Sequence, residues 1–204
     1  MLGERKAKEL KMMKPNAFID GAQIEYQPGE RILDAAVRAG RVIPTLCHDP
    51  RLGSSGACRL CMVKIKGAAG PVPACERELQ PGMRVITEDE ELLEWRRAIL
   101  KLALSENPRE TCTACEQVEP CRLHALAQAH GVQSEAYIGR TSGSLEDDPN
   151  PFILRDYSQC ILCYRCTQVC SELEAAQAIF PTGRGFESRI STSQANGLLE
   201  SPCT

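Results

Sequence analysis

Aromatic residues make up only 4% of this 204-residue chain, with a single tryptophan, and histidine occurs three times. The formal net charge is −3, so there is no general electrostatic attraction toward nucleic acid. No apolar run approaches the roughly 18–20 residues needed to cross a bilayer. The first sixteen residues, MLGERKAKELKMMKPN, lack the apolar stretch of a secretory signal. Glu4 and Glu9 interrupt their basic residues and serine is missing, so a mitochondrial presequence is not expected either. That segment reads as a solvated arm, partly helical, with docking to a partner subunit as the sharper alternative, and the expected compartment is the cytosol. There is no P-loop and no Ser/His/Asp constellation. Gly183-Arg184-Gly185 is a lone glycine pair without the strand–helix setting of a dinucleotide fingerprint. Nothing here predicts substrate chemistry performed by side chains.

Cysteine, by contrast, is abundant. There are twelve, and eleven fall between Cys47 and Cys170 in three groups, with Cys203 standing apart. In a reducing compartment such clustering points to metal ligation before disulfides. The first group is Cys47-x10-Cys58-x2-Cys61-x13-Cys75. Four thiolates can hold a [2Fe–2S] cluster, and plant-type ferredoxins do so with one short C-x2-C pair and a distant fourth cysteine. Structural zinc sites usually pair two short knuckles, and this group has one. The intervening Gly53-Ser54-Ser55-Gly56-Ala57 lets backbone wrap closely and aim N–H groups at sulfur. The second group is Cys112-x2-Cys115-x5-Cys121. The third, Cys160-x2-Cys163-x2-Cys166-x3-Cys170, is the bacterial ferredoxin run, except that Ser171 follows where a proline is usual.

The surrounding pattern predicts an α+β chain in four parts: an arm over 1–16, a small α/β unit over 17–90, a helical segment over 91–140 and a third segment over 141–204. In the α/β unit, Asp20-Gly21 supplies a hairpin turn. A helix over RILDAAVRAG places Ile32, Leu33, Ala36 and Val37 on one face, with Gly40 as its C-terminal cap. MVKIK and MRVITED read as strands, the second after a turn at Pro81-Gly82. EELLEWRRAILKLALS reads as a linker helix with Leu92, Leu93, Ile99, Leu100, Leu102 and Leu104 at helical spacing, and Trp95 as core or interface. CRLHALAQAHGV reads as another helix with His130 at its end. GRTSGSLEDDPNPF reads as a polar boundary, and the residues after Phe180 carry few structural signals.

The stretch GERILDAAVRAGRVIPTLCHDPRLGSSGACRLCMVKIKG resembles the N-terminal iron–sulfur region of the large subunit of bacterial respiratory complex I. It is similar in the same way to the diaphorase iron–sulfur subunit of NAD-reducing hydrogenases and to the corresponding regions of [FeFe]-hydrogenases and NAD-linked formate dehydrogenases. The resemblance runs from about Ala17 to Cys203. It implies a β-grasp ferredoxin domain whose [2Fe–2S] cluster is held by Cys47, Cys58, Cys61 and Cys75, with His48 an ordinary loop residue. It implies a [4Fe–4S] cluster on Cys112, Cys115 and Cys121. Family members place a histidine ligand four residues before the first of these, where this chain has Pro108; Asn107, its neighbour, is no ordinary iron ligand. Glu110, an exogenous ligand, a three-iron cluster or loss of the cluster are the alternatives, with His124 a minor candidate. For the third group it implies a ferredoxin-like domain, here truncated before a second C-x2-C-x2-C-x3-C-P run. One [4Fe–4S] cluster would then sit on Cys160, Cys163 and Cys166 with Cys203 or Cys170 as fourth ligand, Cys203 being slightly preferred because distant closure leaves the local loop unstrained.

What the resemblance implies for function is a relay. The expected role is an electron-transfer subunit, without catalysis of its own, between a flavin- and NAD(H)-binding diaphorase subunit and a catalytic oxidoreductase subunit. The first would be accompanied by a thioredoxin-like [2Fe–2S] subunit; the second would be a hydrogenase, a formate dehydrogenase or another reductase. The expected cofactors are one [2Fe–2S] and one to two [4Fe–4S] clusters. A free-standing ferredoxin-like carrier and a zinc-stabilised interaction module are the alternatives. Small carriers are usually strongly acidic, which the charge of −3 and the apolar linker helix oppose; a colourless protein with stoichiometric zinc would mark the second.

Overall fold

A computed structural model describes residues 15–106, 121–133, 153, 157, 160–192 and 197–202. The chain divides into two compact units. One comprises the described residues up to Pro44 together with Cys61–Leu93, the other Thr45–Leu60 together with the described residues from Glu94 onward.

The first unit is a mixed five-stranded sheet crossed by one helix. β1 (Asn16–Ile19) and β2 (Ala22–Glu25) form the expected hairpin, with Asp20 and Gly21 both left-handed at φ 49° and 80°. Two successive positive φ values are what a two-residue hairpin turn needs to match strand twist, and Asp-Gly supplies them at low steric cost. β1 pairs in parallel with β5 (Arg84–Ile86), which pairs antiparallel with β3 (Met62–Ile65), which pairs with the two-residue β4 (Val72–Pro73). The order is therefore β2-β1-β5-β3-β4. Period-two alternation sends Ala17, Ile19, Ile24, Val63 and Val85 to one face. On the other, the Arg84 guanidinium lies 4.4 Å from the centroid of Phe18.

Helix α1 (Ile32–Arg38) closes that core with Ile32, Leu33, Ala35 and Ala36. Val37, expected on the same face, is instead 65% exposed, because the contact centres on the 32/35/36 edge of so short a helix. Gly40 terminates it as expected, at φ 71°, with Arg41 N–H bonded to Ala36 C=O at 2.8 Å. At the other end no side chain caps α1. Ile32 and Leu33 donate their N–H groups to the carbonyls of Arg77 and Ala74 at 2.9 and 3.0 Å, so the turn around Cys75 is the cap. Asp20 accepts from the Thr87 N–H and hydroxyl at 2.8 and 2.7 Å, tying the hairpin turn to the end of β5.

Asp89 caps helix α2 (Glu90–Glu106) by accepting from Leu92 N–H at 2.9 Å. The buried stripe along α2 is Leu92, Arg96, Leu100 and Leu104, at strict four-residue spacing. Leu102, expected to pack, is 58% exposed, and Trp95, expected in core or interface, is 45% exposed in this chain, since both lie off that stripe. In the second unit Leu100 and Leu104 pack with Leu46, Leu60, Leu123, Ala127 and Val132, the last three from helix α3 (Arg122–Ala129) and the residues after it. Further on, α4 (Arg165–Gln168) widens into a π-helical turn over Val169–Leu173. A hairpin of β6 (Ile179–Thr182) and β7 (Arg189–Thr192) follows, where few signals were expected. Its turn is the glycine pair: Gly183 and Gly185 are left-handed at φ 75° and 57°, and a Cβ on Gly183 would run into the Glu187 carbonyl. The glycines serve backbone geometry there.

Candidate metal centre

In the second unit the Cys47–Leu60 loop brings two sulfurs together. Cys47 Sγ and Cys58 Sγ are 3.3 Å apart, close to the ~3.8 Å that two sulfurs ~2.3 Å from one tetrahedral metal would span. The hydrogen bond between them pulls the Cys47 thiol down to about 5 against the opposing effect of burial. The Cys58 N–H, the Ser55 hydroxyl and the Ala57 N–H lower it further. The hydrogen bond with Cys47 and burial push Cys58 up. Leu46 N–H points at Cys58 Sγ at 3.5 Å. Sulfur surrounded by N–H donors is stabilised as thiolate, the form that binds metal. His48 Nδ1 is buried with no hydrogen-bond partner, so the histidine expected as a plain loop residue has an unsatisfied ring nitrogen.

In the first unit Cys61 opens β3 and Cys75 follows β4, both 1% exposed and both part of the sheet–helix core. Ala74 N–H bonds to the Cys61 carbonyl at 3.0 Å. Residues within the C-x2-C turns are left-handed without being glycine: Arg59 at φ 53°, Leu162 at 51°, Tyr164 at 60°. Non-glycine residues adopt this conformation at a cost of about 1–2 kcal/mol. In return the turn reverses tightly enough to aim N–H groups at sulfur, as Leu162 N–H does toward Cys160 Sγ at 3.4 Å.

Three cysteines of the third group border a cavity of about 840 Å³. Cys160, Cys166 and Cys170 line it with Tyr157, Ile190 and Pro202, and the wall is largely apolar. Burial pushes the Cys160 and Cys166 thiols up, while Arg165 is held more firmly protonated by the Cys163 sulfur it faces. Cys170 Sγ accepts from Ala178 N–H at 3.1 Å and packs with Ala178 and Leu198. Among the described residues no three His, Cys, Asp or Glu side chains converge on a point the size of one ion. Thiols spread around an apolar cavity of this size suit a multi-atom cluster, whose ligands are held apart by the cluster itself. Of the second group, Cys112 and Cys115 lie outside the described residues, as do Asn107, Pro108 and Glu110, and so does Cys203. Cys121 stands at the N-cap of α3. His124, one turn on, has its Nε2 buried without a hydrogen-bond partner. His130 ends the helix as expected, with Nδ1 2.8 Å from the Leu126 carbonyl.

Side chains near the other two groups hold this loop. Arg122, next to Cys121, donates to Thr45 Oγ1 at 2.7 Å, and the residues after Cys166 bond to Gly53. Sequence reading missed these contacts, because nothing in a polar side chain at such separation reveals its partner.

Residues 16–90 match the family described as "2Fe-2S iron-sulfur cluster binding domain". A solved structure, "Crystal structure of NAD+-reducing [NiFe]-hydrogenase in the H2-reduced state", contains a chain 34% identical to this one. The alignment covers 93% of this chain and 80% of that one, with a TM-score of 0.78. The chain belongs to the iron–sulfur subunit family of NAD(P)-linked hydrogenases and complex I. Its relatives include the NADP-reducing hydrogenase subunit HndD of Solidesulfovibrio fructosivorans, 30% identical over 191 residues. Another is the NADH-ubiquinone oxidoreductase 75 kDa subunit of Reclinomonas americana, 28% identical over 177 residues. These alignments take in 91% and 87% of this chain but only 32% and 26% of the relatives, so the chain spans about a quarter to a third of their length. A [2Fe–2S] domain within a mixed sheet-and-helix fold is thus common to this family member and its relatives. Among the described residues no helix is long and apolar enough to cross a membrane.

Proposed function

We propose that this family member is an electron-relay subunit of an NAD(P)H-linked oxidoreductase, joining a flavin- and NAD(H)-binding subunit to a catalytic reductase or hydrogenase subunit. The observation that carries this reading is the Cys47–Cys58 sulfur pair, hydrogen-bonded at 3.3 Å amid N–H donors, inside a family domain that binds [2Fe–2S]. Cys47, Cys58, Cys61 and Cys75 would hold that cluster. Cys160, Cys163 and Cys166 would hold a [4Fe–4S] cluster with Cys203 as fourth ligand, a choice supported by Pro202 lining the same cavity. Cys170, anchored by Ala178 N–H, would form the apolar wall. Cys112, Cys115 and Cys121 would hold a further [4Fe–4S] cluster, closed by a ligand other than the family's histidine, since Pro108 stands there.

Iron–sulfur clusters accept and release single electrons at potentials set by cluster type, burial and hydrogen bonds to sulfur. The chain's own contribution is to bring sulfurs together, exclude water around Cys61 and Cys75, and aim backbone N–H donors at Cys47, Cys58, Cys160 and Cys170. The test is iron and acid-labile sulfide per chain on anaerobically purified protein, with EPR through a reductive titration. Three clusters correspond to about ten irons by summing the cluster types. Cys203→Ser should remove one four-iron signal, and Cys170→Ser should leave the iron count unchanged. Stoichiometric zinc without iron would overturn the reading.

A further inference from the structure

The loop between Cys47 and Cys58 is gripped by the helix that carries the third cysteine group. Gly53 N–H donates to Glu172 Oε2 at 2.8 Å, and the Gly53 carbonyl accepts from Gln168 Nε2 at 2.9 Å. Gln168 Nε2 also reaches Glu172 Oε1 at 3.3 Å. Gln168 and Glu172 lie one turn apart, so a single helix face meets both polar groups of one backbone unit 115–119 residues away in sequence. With two acceptors in front of it, the Gln168 amide has its NH2 side fixed toward the loop. The fit is close: a Cβ on Gly53 would sit 3.1 Å from Glu172 Oε1 and 3.4 Å from Oε2. The loop's own bonds lie on either side of this point: Arg51 and Leu52 bond back to Asp49 before it, and Ser55, Ala57 and Cys58 turn to the Cys47 sulfur after it. Arg165, on the same helix, faces the Cys163 sulfur and lies within electrostatic reach of Asp49 and Cys47.

We propose that Gln168 and Glu172 are positioning residues for the first cluster, holding the Cys47–Cys58 loop in its cage-forming shape from the helix of the third cysteine group. This rests on the relay reading above and adds to it a mechanical link between two cysteine groups. The integrity of the third group's helix becomes a condition for the geometry of the first group's sulfurs.

The test uses the full-length protein purified anaerobically, with two readouts. Amide hydrogen exchange over residues 49–57 reports the loop whether or not a cluster is present. The line shape of the reduced two-iron EPR signal reports the sulfur cage. Glu172→Ala should speed exchange at Gly53 about tenfold, the loss of one hydrogen bond to a charged acceptor, and should alter the two-iron line shape. Glu172→Gln, whose amide oxygen still accepts from Gly53 N–H, should restore both. Gly53→Ala should reproduce the Ala effect from the opposite side of the contact. If Glu172→Ala fails to load iron, Glu172→Gln decides: iron retained upholds the proposal, iron lost overturns it. Wild-type exchange and line shape in both Glu172→Ala and Gly53→Ala would also overturn it. An absence of any two-iron signal in the wild type would refute the relay reading alone, and exchange at Gly53 would still decide this one.

Discussion

Leu100 and Leu102 are two residues apart on α2 and meet opposite surroundings. Leu100 is fully buried against Leu46 and Leu60, which lie just before Cys47 and two residues after Cys58. Leu102 is 58% exposed. Leu100→Ala removes three buried carbons, about 2.4 kcal/mol of transfer free energy at ~0.8 kcal/mol each. A residual cavity on the order of 60 Å³ adds roughly 1.5 kcal/mol, for a total near 4. If the first cluster is lost by opening of this packing, its bleaching by a ferrous chelator should accelerate by up to about 10³-fold, since each ~1.4 kcal/mol is a factor of ten. A rate is the right readout, because cluster loss is irreversible and an equilibrium midpoint would be ill-defined. Leu102→Ala provides the internal control and should bleach at the wild-type rate. Should Leu100→Ala bleach within twofold of wild type, with the fold intact by circular dichroism, the packing under the loop does not govern access to the cluster.

Three further outcomes follow from the contacts. Asp20→Ala deletes two acceptors for Thr87 and places alanine at φ 49°; a loss of about 2 kcal/mol should lower the thermal midpoint by about 4–8 °C, and Asp20→Gly should recover only the backbone part. Gly183→Ala combines a positive φ with a collision against the Glu187 carbonyl, so amide protection over Ile179–Thr182 and Arg189–Thr192 should collapse while that of β1 and β2 is unchanged. Arg122→Met leaves the Thr45 hydroxyl buried without its partner, destabilising by roughly 1–3 kcal/mol; adding Thr45→Val should recover most of it, and an unimproved double variant would show that the bond is not what Arg122 contributes.

Much of this protein is written locally. Asp20-Gly21 fixes a hairpin because two adjacent left-handed residues admit almost nothing else. Gly40 ends α1, and the helical spacing of apolar residues marks α2, for equally local reasons. The cysteine spacings announce the chemistry, since short C-x2-C turns are what place two sulfurs on one metal centre. Where local pattern misled, tertiary packing had the deciding vote: Val37 and Leu102 are apolar and correctly phased for a helix, yet each falls just outside the contact. The hairpin after Phe180 went unseen because its strands are short and half-polar.

By itself, then, the sequence determined most of the element types, the grouping of the cysteines and the family, all of which depend on neighbours along the chain. Only the tertiary structure decided that Gln168 and Glu172 hold Gly53, that Arg122 holds Thr45, that the Cys47 and Cys58 sulfurs meet, and that Ala74 and Arg77 cap α1. Each of these is a meeting of groups whose separation in sequence bears no relation to the distance between them once folded, and no local preference of either partner encodes the other.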